Sequence, residues 1–119
     1  MENSVSWILE LEIKDGEFEN FQSLMHEMVD AAKANEPNTL NYEWTISEDH
    51  KKCHIYERYV DSDATMIHLG TFDIKYGERF MDAVEVTRLV VYGNPNNEVR
   101  DALSGMGALY MSRFGGFAR

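Results

Sequence analysis

The hydrophobic period changes from two to about three and a half within the first forty residues, and this change limits the fold more than any other feature of the chain. In VSWILELEIK, Val5, Trp7, Leu9, Leu11 and Ile13 fall on one side, and Ser6, Ile8, Glu10, Glu12 and Lys14 on the other. A period of two is that of a strand with one strongly apolar face. From Phe18 the rhythm becomes threes and fours: Phe18, Phe21, Leu24, Met25, Met28, Val29 and Ala32 form one stripe of a helix. Asp15, before Gly16, offers a helix cap, Glu17 and Glu19 suit the positive end of the dipole, and Pro37 prevents continuation.

Two further period-two runs, NTLNYEWTIS and KCHIYERYV, are joined by the polar stretch EDHK, which predicts a hairpin. DSDATMIHLGTF starts as a helix that Gly70 and Thr71 are expected to break or bend, and FDIKYGERFMDA resumes it. VEVTRLVVYG reads as a fourth strand, GNPNN as a turn, NEVRDALSG as a short helix and ALYMSRFGGF as a closing strand or tail. The order βαββαβ, followed by the short helix and strand, predicts an α+β ferredoxin-like sandwich with helices on one face of the sheet. Ile8 on the first strand and both faces of the fourth make the second sheet face too apolar for water, which predicts a homodimer with sheets packed face to face.

The 119 residues suit a single domain spanning 1–119, with no repeat and no linker. The formal net charge of −10 repels phosphate backbones and anionic lipid, so nucleic acid and membrane are set aside as partners. No apolar run reaches membrane-span length and MENSVSW lacks a basic start, so the expected location is cytoplasmic. Cys53 is the single cysteine and is read as a buried, inert thiol. His26, His50, His54 and His68 show no metal-ligand spacing, and neither a phosphate-binding glycine loop nor a serine elbow is present.

The hairpin supports a geometric argument about which side chains meet. With Ser47 opposite Lys52, Trp44 faces Ile55, Tyr42 faces Glu57 and Leu40 faces Tyr59, all on one side of the sheet. Glu57 is the odd member of this apolar set, and a buried carboxylate needs a partner. His68 shares a helix stripe with Ala64 and Phe72, within reach of Glu57, Tyr42 or Tyr59. Such a group is either a satisfied core network or the polar end of an apolar pocket. Trp44 is either core or a platform for a flat ligand, and Arg88, inside an apolar strand, needs an acidic or anionic partner.

Glu36-Pro37, Leu40-Tyr42-Glu43, Tyr56-Glu57-Arg58-Tyr59, Asp61, Ala64 and His68 together resemble the central signature of the antibiotic biosynthesis monooxygenase superfamily, with Asn38 where a glycine is usual. The resemblance covers the first three quarters of the chain and leaves 93–119 without a role. It implies a dimeric α+β barrel with a pocket between sheet and helices. It also implies oxidation of a small aromatic or quinol-like substrate by O2 with no bound cofactor and no metal. On that reading His68 and Glu57 are catalytic and manage the proton, while Tyr42, Trp44, Tyr59 and Arg88 bind substrate, Arg88 stabilising negative charge. Two alternatives stand beside it: a non-catalytic or regulatory dimer that binds a small ligand, and a haem-binding or haem-degrading relative. The stretch DIKYGERF, which has no histidine where those relatives place one, opposes the second.

Overall fold

The computed structural model describes residues 3–119 of the chain. The elements in order are β1 (Val5–Ile13), α1 (Phe18–Asn35), β2 (Thr39–Ile46), β3 (Lys52–Tyr59), α2 (Ser62–Lys75), α3 (Gly77–Ala83), β4 (Val84–Gly93), α4 (Asn97–Ala102) and β5 (Leu109–Met111). The five strands form one sheet in the order β2-β3-β1-β4-β5, antiparallel except for β5, which runs parallel to β4. The helices cover one face, so the α+β ferredoxin-like architecture is present, extended by α4 and β5.

The period-two pattern of β1 decides which face is covered. Val5, Trp7, Leu9, Leu11 and Ile13 are all buried, and they meet Tyr59, Glu57, Ile55 and Cys53 of β3 on one side and Val91, Leu89 and Val84 of β4 on the other. α1 lays Phe21, Leu24, Met28 and Ala32 on this face. Each fully buried aliphatic side chain of this core contributes about 1.5–3 kcal/mol of transfer free energy. Gly93 ends β4 with φ +105, where a Cβ would lie 2.6 Å from the Ser4 carbonyl oxygen, so neither the backbone nor the space admits another residue.

Three local expectations are corrected. Helix α1 begins at Phe18 with Glu17 at its cap position, and no side chain caps it, so Asp15 does not have that role. The hairpin pairs Trp44 with Ile55 and Tyr42 with Glu57 as expected, but a bulge between Thr39 and Asn41 puts Thr39 opposite Tyr59 and leaves Leu40 unpaired and exposed. Helix α2 runs straight through Gly70 and Thr71, because a single glycine costs a helix only about 1 kcal/mol. The break falls instead at Tyr76, which ends α2 and starts α3. The opposite sheet face carries Ser6, Ile8, Glu10, Tyr56, Arg58, Arg88, Val90 and Tyr92 of the strands, joined by Leu109 and Met111 of β5.

Candidate active site

Three elements bring their side chains to one point. The Asp61 side chain caps α2 by accepting from the Ala64 N–H at 2.8 Å, and the Thr65 hydroxyl donates to the Asp61 carbonyl at 2.8 Å. These bonds fix the first turn of α2 and so aim His68, about two turns on, at the sheet. Glu57 and Tyr59 lie two residues apart on β3 and therefore share the covered face. Glu36 closes the C-terminal end of α1, its backbone N–H bonded to the Ala32 carbonyl at 2.9 Å.

His68 sits between the two carboxylates. Nδ1 is 2.9 Å from Glu36 Oε1, and Nε2 is 3.2 Å from Glu57 Oε1. The Tyr59 hydroxyl donates to Glu57 Oε1, and the Thr39 hydroxyl donates to Glu36 Oε1 at 2.8 Å. His68, Glu57 and Tyr59 are buried. A neutral imidazole carries one N–H, so one of its nitrogens would face a carboxylate with a lone pair. With both carboxyl groups ionised, the two contacts together call for the imidazolium. Burial alone would lower the pKa of His68, but the hydrogen bonds and charges of Glu36 and Glu57 outweigh it and raise the group from 6.5 to about 9. Glu36 is desolvated as well, which opposes ionisation. The bond from His68 still holds its carboxyl below the ordinary value.

The network meets a cavity of about 100 Å³ between sheet and helices. Glu57 and His68 are its polar end, with Tyr42 edge-on to the His68 ring at 5.0 Å. Trp7, Leu9, Met28, Phe72, Phe80 and Leu89 are among the apolar walls. Glu57 Oε2 takes part in none of the hydrogen bonds above. Among the described residues, Trp44 Nε1 is the sole fully shielded side-chain polar atom without a partner. Tyr42 and Tyr59 are pushed well above 10, chiefly by burial and then by the charge of Glu57, and so keep their protons.

The other expected site residues are placed as follows. Tyr42 lines the cavity, whereas Tyr59 lies behind Glu57, its ring packed 5.1 Å from that of Trp7. Trp44 packs against Phe21, Tyr42 and Phe80 and lines a neighbouring hollow with Phe18, Met25 and Cys53. Arg88 is exposed on the opposite sheet face, 3.5 Å from Glu10, whose other oxygen is 3.7 Å from His54. The acidic partner that Arg88 needs is therefore a neighbouring strand residue. Glu36 was given no role by the sequence reasoning, yet one signal was there: a carboxylate at a helix C-terminus opposes the dipole and calls for another reason to be present. Cys53 is buried, which pushes its thiol up to about 11. No group of three or more His, Cys, Asp or Glu side chains among the described residues is arranged to hold a metal ion, and none of their helices is long and apolar enough to cross a membrane.

Residues 4–85 match the family model of the antibiotic biosynthesis monooxygenases. The chain belongs to that family. Its fold is similar to that of MupZ from Pseudomonas fluorescens, with a TM-score of 0.85 at 20% identity, covering 98% of this chain and 95% of MupZ. It is also similar to two proteins provisionally described as antibiotic biosynthesis monooxygenases. One, from Nitrosomonas europaea, has a TM-score of 0.68 at 18% identity and covers 79% of this chain and 92% of its own. The other, from Caulobacter crescentus, has a TM-score of 0.65 at 23% identity and covers 76% and 86%. At these identities the likeness concerns the fold. No curated protein matches the sequence.

Proposed function

We propose that the chain is a cofactor-independent monooxygenase of a small, uncharged aromatic compound, a phenol, quinol or enolisable aryl ketone, with O2 as the oxidant. The observation that carries the reading is the Glu57 carboxylate at the polar end of an otherwise apolar cavity, beside an imidazolium. His68 has both nitrogens engaged and is already protonated, so it is not the base. Glu57 Oε2 removes the O–H or activated C–H proton. The positive charge of His68 and the O–H group of Tyr42 favour the resulting anion, and Tyr59 holds Glu57 in place through its own hydroxyl. The cavity walls carry no Lys or Arg, and Glu57 and Asp73 are its carboxylates, which disfavours carboxylate or phosphate substrates.

The electron-rich anion reduces O2, and one oxygen atom bonds to the ring or benzylic carbon. The peroxide takes back the proton from Glu57 and then loses water, leaving a carbonyl. In balance, CH2 and O2 give C=O and H2O, and a phenol and O2 give a quinone and H2O. Oxygen uptake with anthrone or a quinol tests the reading: the rate should exceed the buffer rate and fall by about 10²–10⁴-fold in Glu57→Gln, the range of general-base contributions. Tight binding of such compounds without oxygen consumption would favour the alternative, a small-ligand-binding dimer.

The assembly belongs to the same proposal. Ile8, Val90 and Leu109 form one row of the open sheet face and Tyr92 and Met111 the next. Tyr92, Leu109 and Met111 are exposed there, and the exposed Phe117 of the tail lies beside Tyr92 and Met111. A second copy packed on this face covers them. Sedimentation should give twice the 13.8 kDa chain mass, and a single-chain mass at micromolar concentration would refute the dimer.

A further inference from the structure

The mouth of the cavity is identified by exposure. Of the residues that line it, Asp73, Met81, Ala102 and Met106 are exposed and the others are at least partly covered. Two of these four belong to the segment after β4, beyond residues 4–85 where the family model matches. The same segment lies within the 98% of the chain that superimposes on MupZ.

This segment is anchored at both ends and free of regular structure between. At the near end, Val99 and Leu103 are buried, the Asn96 side chain accepts from the Val99 N–H, and the Asn96 N–H donates to the Ser62 hydroxyl of α2. At the far end, β5 pairs with β4 and the Arg100 guanidinium lies 4.2 Å over the Tyr110 ring. Met106 stands between Gly105 and Gly107, whose φ values are +88 and +66. It is 40% exposed, with part of its side chain in the cavity wall.

The size of the cavity makes this residue decisive. About 100 Å³ is less than the roughly 150 Å³ of a cavity that holds benzene. An aromatic ring seated at Glu57 therefore either extends through the mouth or displaces its wall. Extension through the mouth brings it against Met106 and its neighbours Asp73, Met81 and Ala102, and of these Met106 sits on the loop flanked by two glycines, where its long unbranched thioether can move.

We propose that Met106 is a specificity-determining residue that sets which ring sizes the cavity admits. The proposal rests on the ligand site assigned above but not on its oxygen chemistry. Binding of 4-methylphenol, 1-naphthol and anthrone to the full chain tests it, read by isothermal titration calorimetry in the wild type, Met106→Ala, Met106→Trp and Ala102→Trp. Met106→Ala should tighten anthrone by about tenfold and change 4-methylphenol little, the lower end of the scale for one methylene group at an apolar pocket. Met106→Trp and Ala102→Trp should weaken anthrone and 1-naphthol by at least as much. Circular dichroism of each variant confirms that it folds.

Equal affinities across the variants for all three compounds, or no binding of any compound to either the wild type or Met106→Ala, would overturn the proposal. Size-dependent binding without oxygen uptake would uphold it while removing the monooxygenase reading. Oxygen uptake that is indifferent to ring size and to residue 106 would do the reverse.

Discussion

The charge state of His68 yields a stability profile that can be worked out in advance. Folding raises its pKa from 6.5 to about 9. A raised pKa means that the folded state holds the proton more tightly, so the stabilisation is complete below pH 6.5 and is lost as pH rises through about 9. The difference amounts to about 3 kcal/mol, at 1.36 kcal/mol per pH unit. Because the group is buried between two carboxylates, solvent screens little of this.

Urea denaturation of the wild type and His68→Gln at intervals from pH 5.5 to 9.5 isolates the effect, since other groups titrate in both proteins. The difference in unfolding free energy should shrink by about 3 kcal/mol across this range. Glu36→Gln should show a shallower decline, because one of the two carboxylates that raise the pKa is gone. A difference that stays flat, or that grows with pH, would refute the assignment of an imidazolium and with it the exclusion of His68 as base.

Other expectations follow from single contacts. Tyr59→Phe removes the hydroxyl that Glu57 accepts and should lower stability by about 1.5–3 kcal/mol in thermal or urea unfolding, the range for a buried hydrogen bond to a charged group. Asp61→Ala deletes the cap of the helix that carries His68 and should lower stability by about 1 kcal/mol, measured in the same way. Arg88→Ala should leave ligand affinity within about twofold of wild type in a fluorescence titration, since exposed ion pairs contribute little and this one faces away from the cavity.

How far the sequence could be read depended on which physical effect sets each feature. Alternation on β1 and the opposition of Tyr42 to Glu57 were legible because a strand with one buried face fixes its own register. The meeting of His68 with Glu57 was legible for the same reason, since a carboxylate on an apolar face and a histidine on an apolar stripe each need a partner. Leu40 was misplaced because a bulge is decided by the loop leading into β2, which leaves no trace in the alternation. The uninterrupted α2 was hidden because glycine is a weak breaker and the packing of Ala64, Thr65 and His68 overrides it.

Glu36 was visible as part of the family signature, but its contact with His68 was not, because the two lie 32 residues apart and no local period connects the end of one helix to the next helix across a strand pair. The sheet face of Arg88 depends on the register shift opposite Glu10 and Leu11, which exchanges inside for outside along β4. The contribution of Ala102, Leu103 and Met106 to the cavity arises from the end of α4 and the loop after it, and a helix this short carries too little periodicity to show which element it packs against.

The most direct test of the account is hydrogen–deuterium exchange at the methylene group of anthrone in D2O without oxygen, followed by proton NMR. Proton removal by Glu57 Oε2 predicts exchange above the buffer rate with the wild type and a return to the buffer rate with Glu57→Gln. Exchange by Glu57→Gln as fast as by the wild type would contradict it.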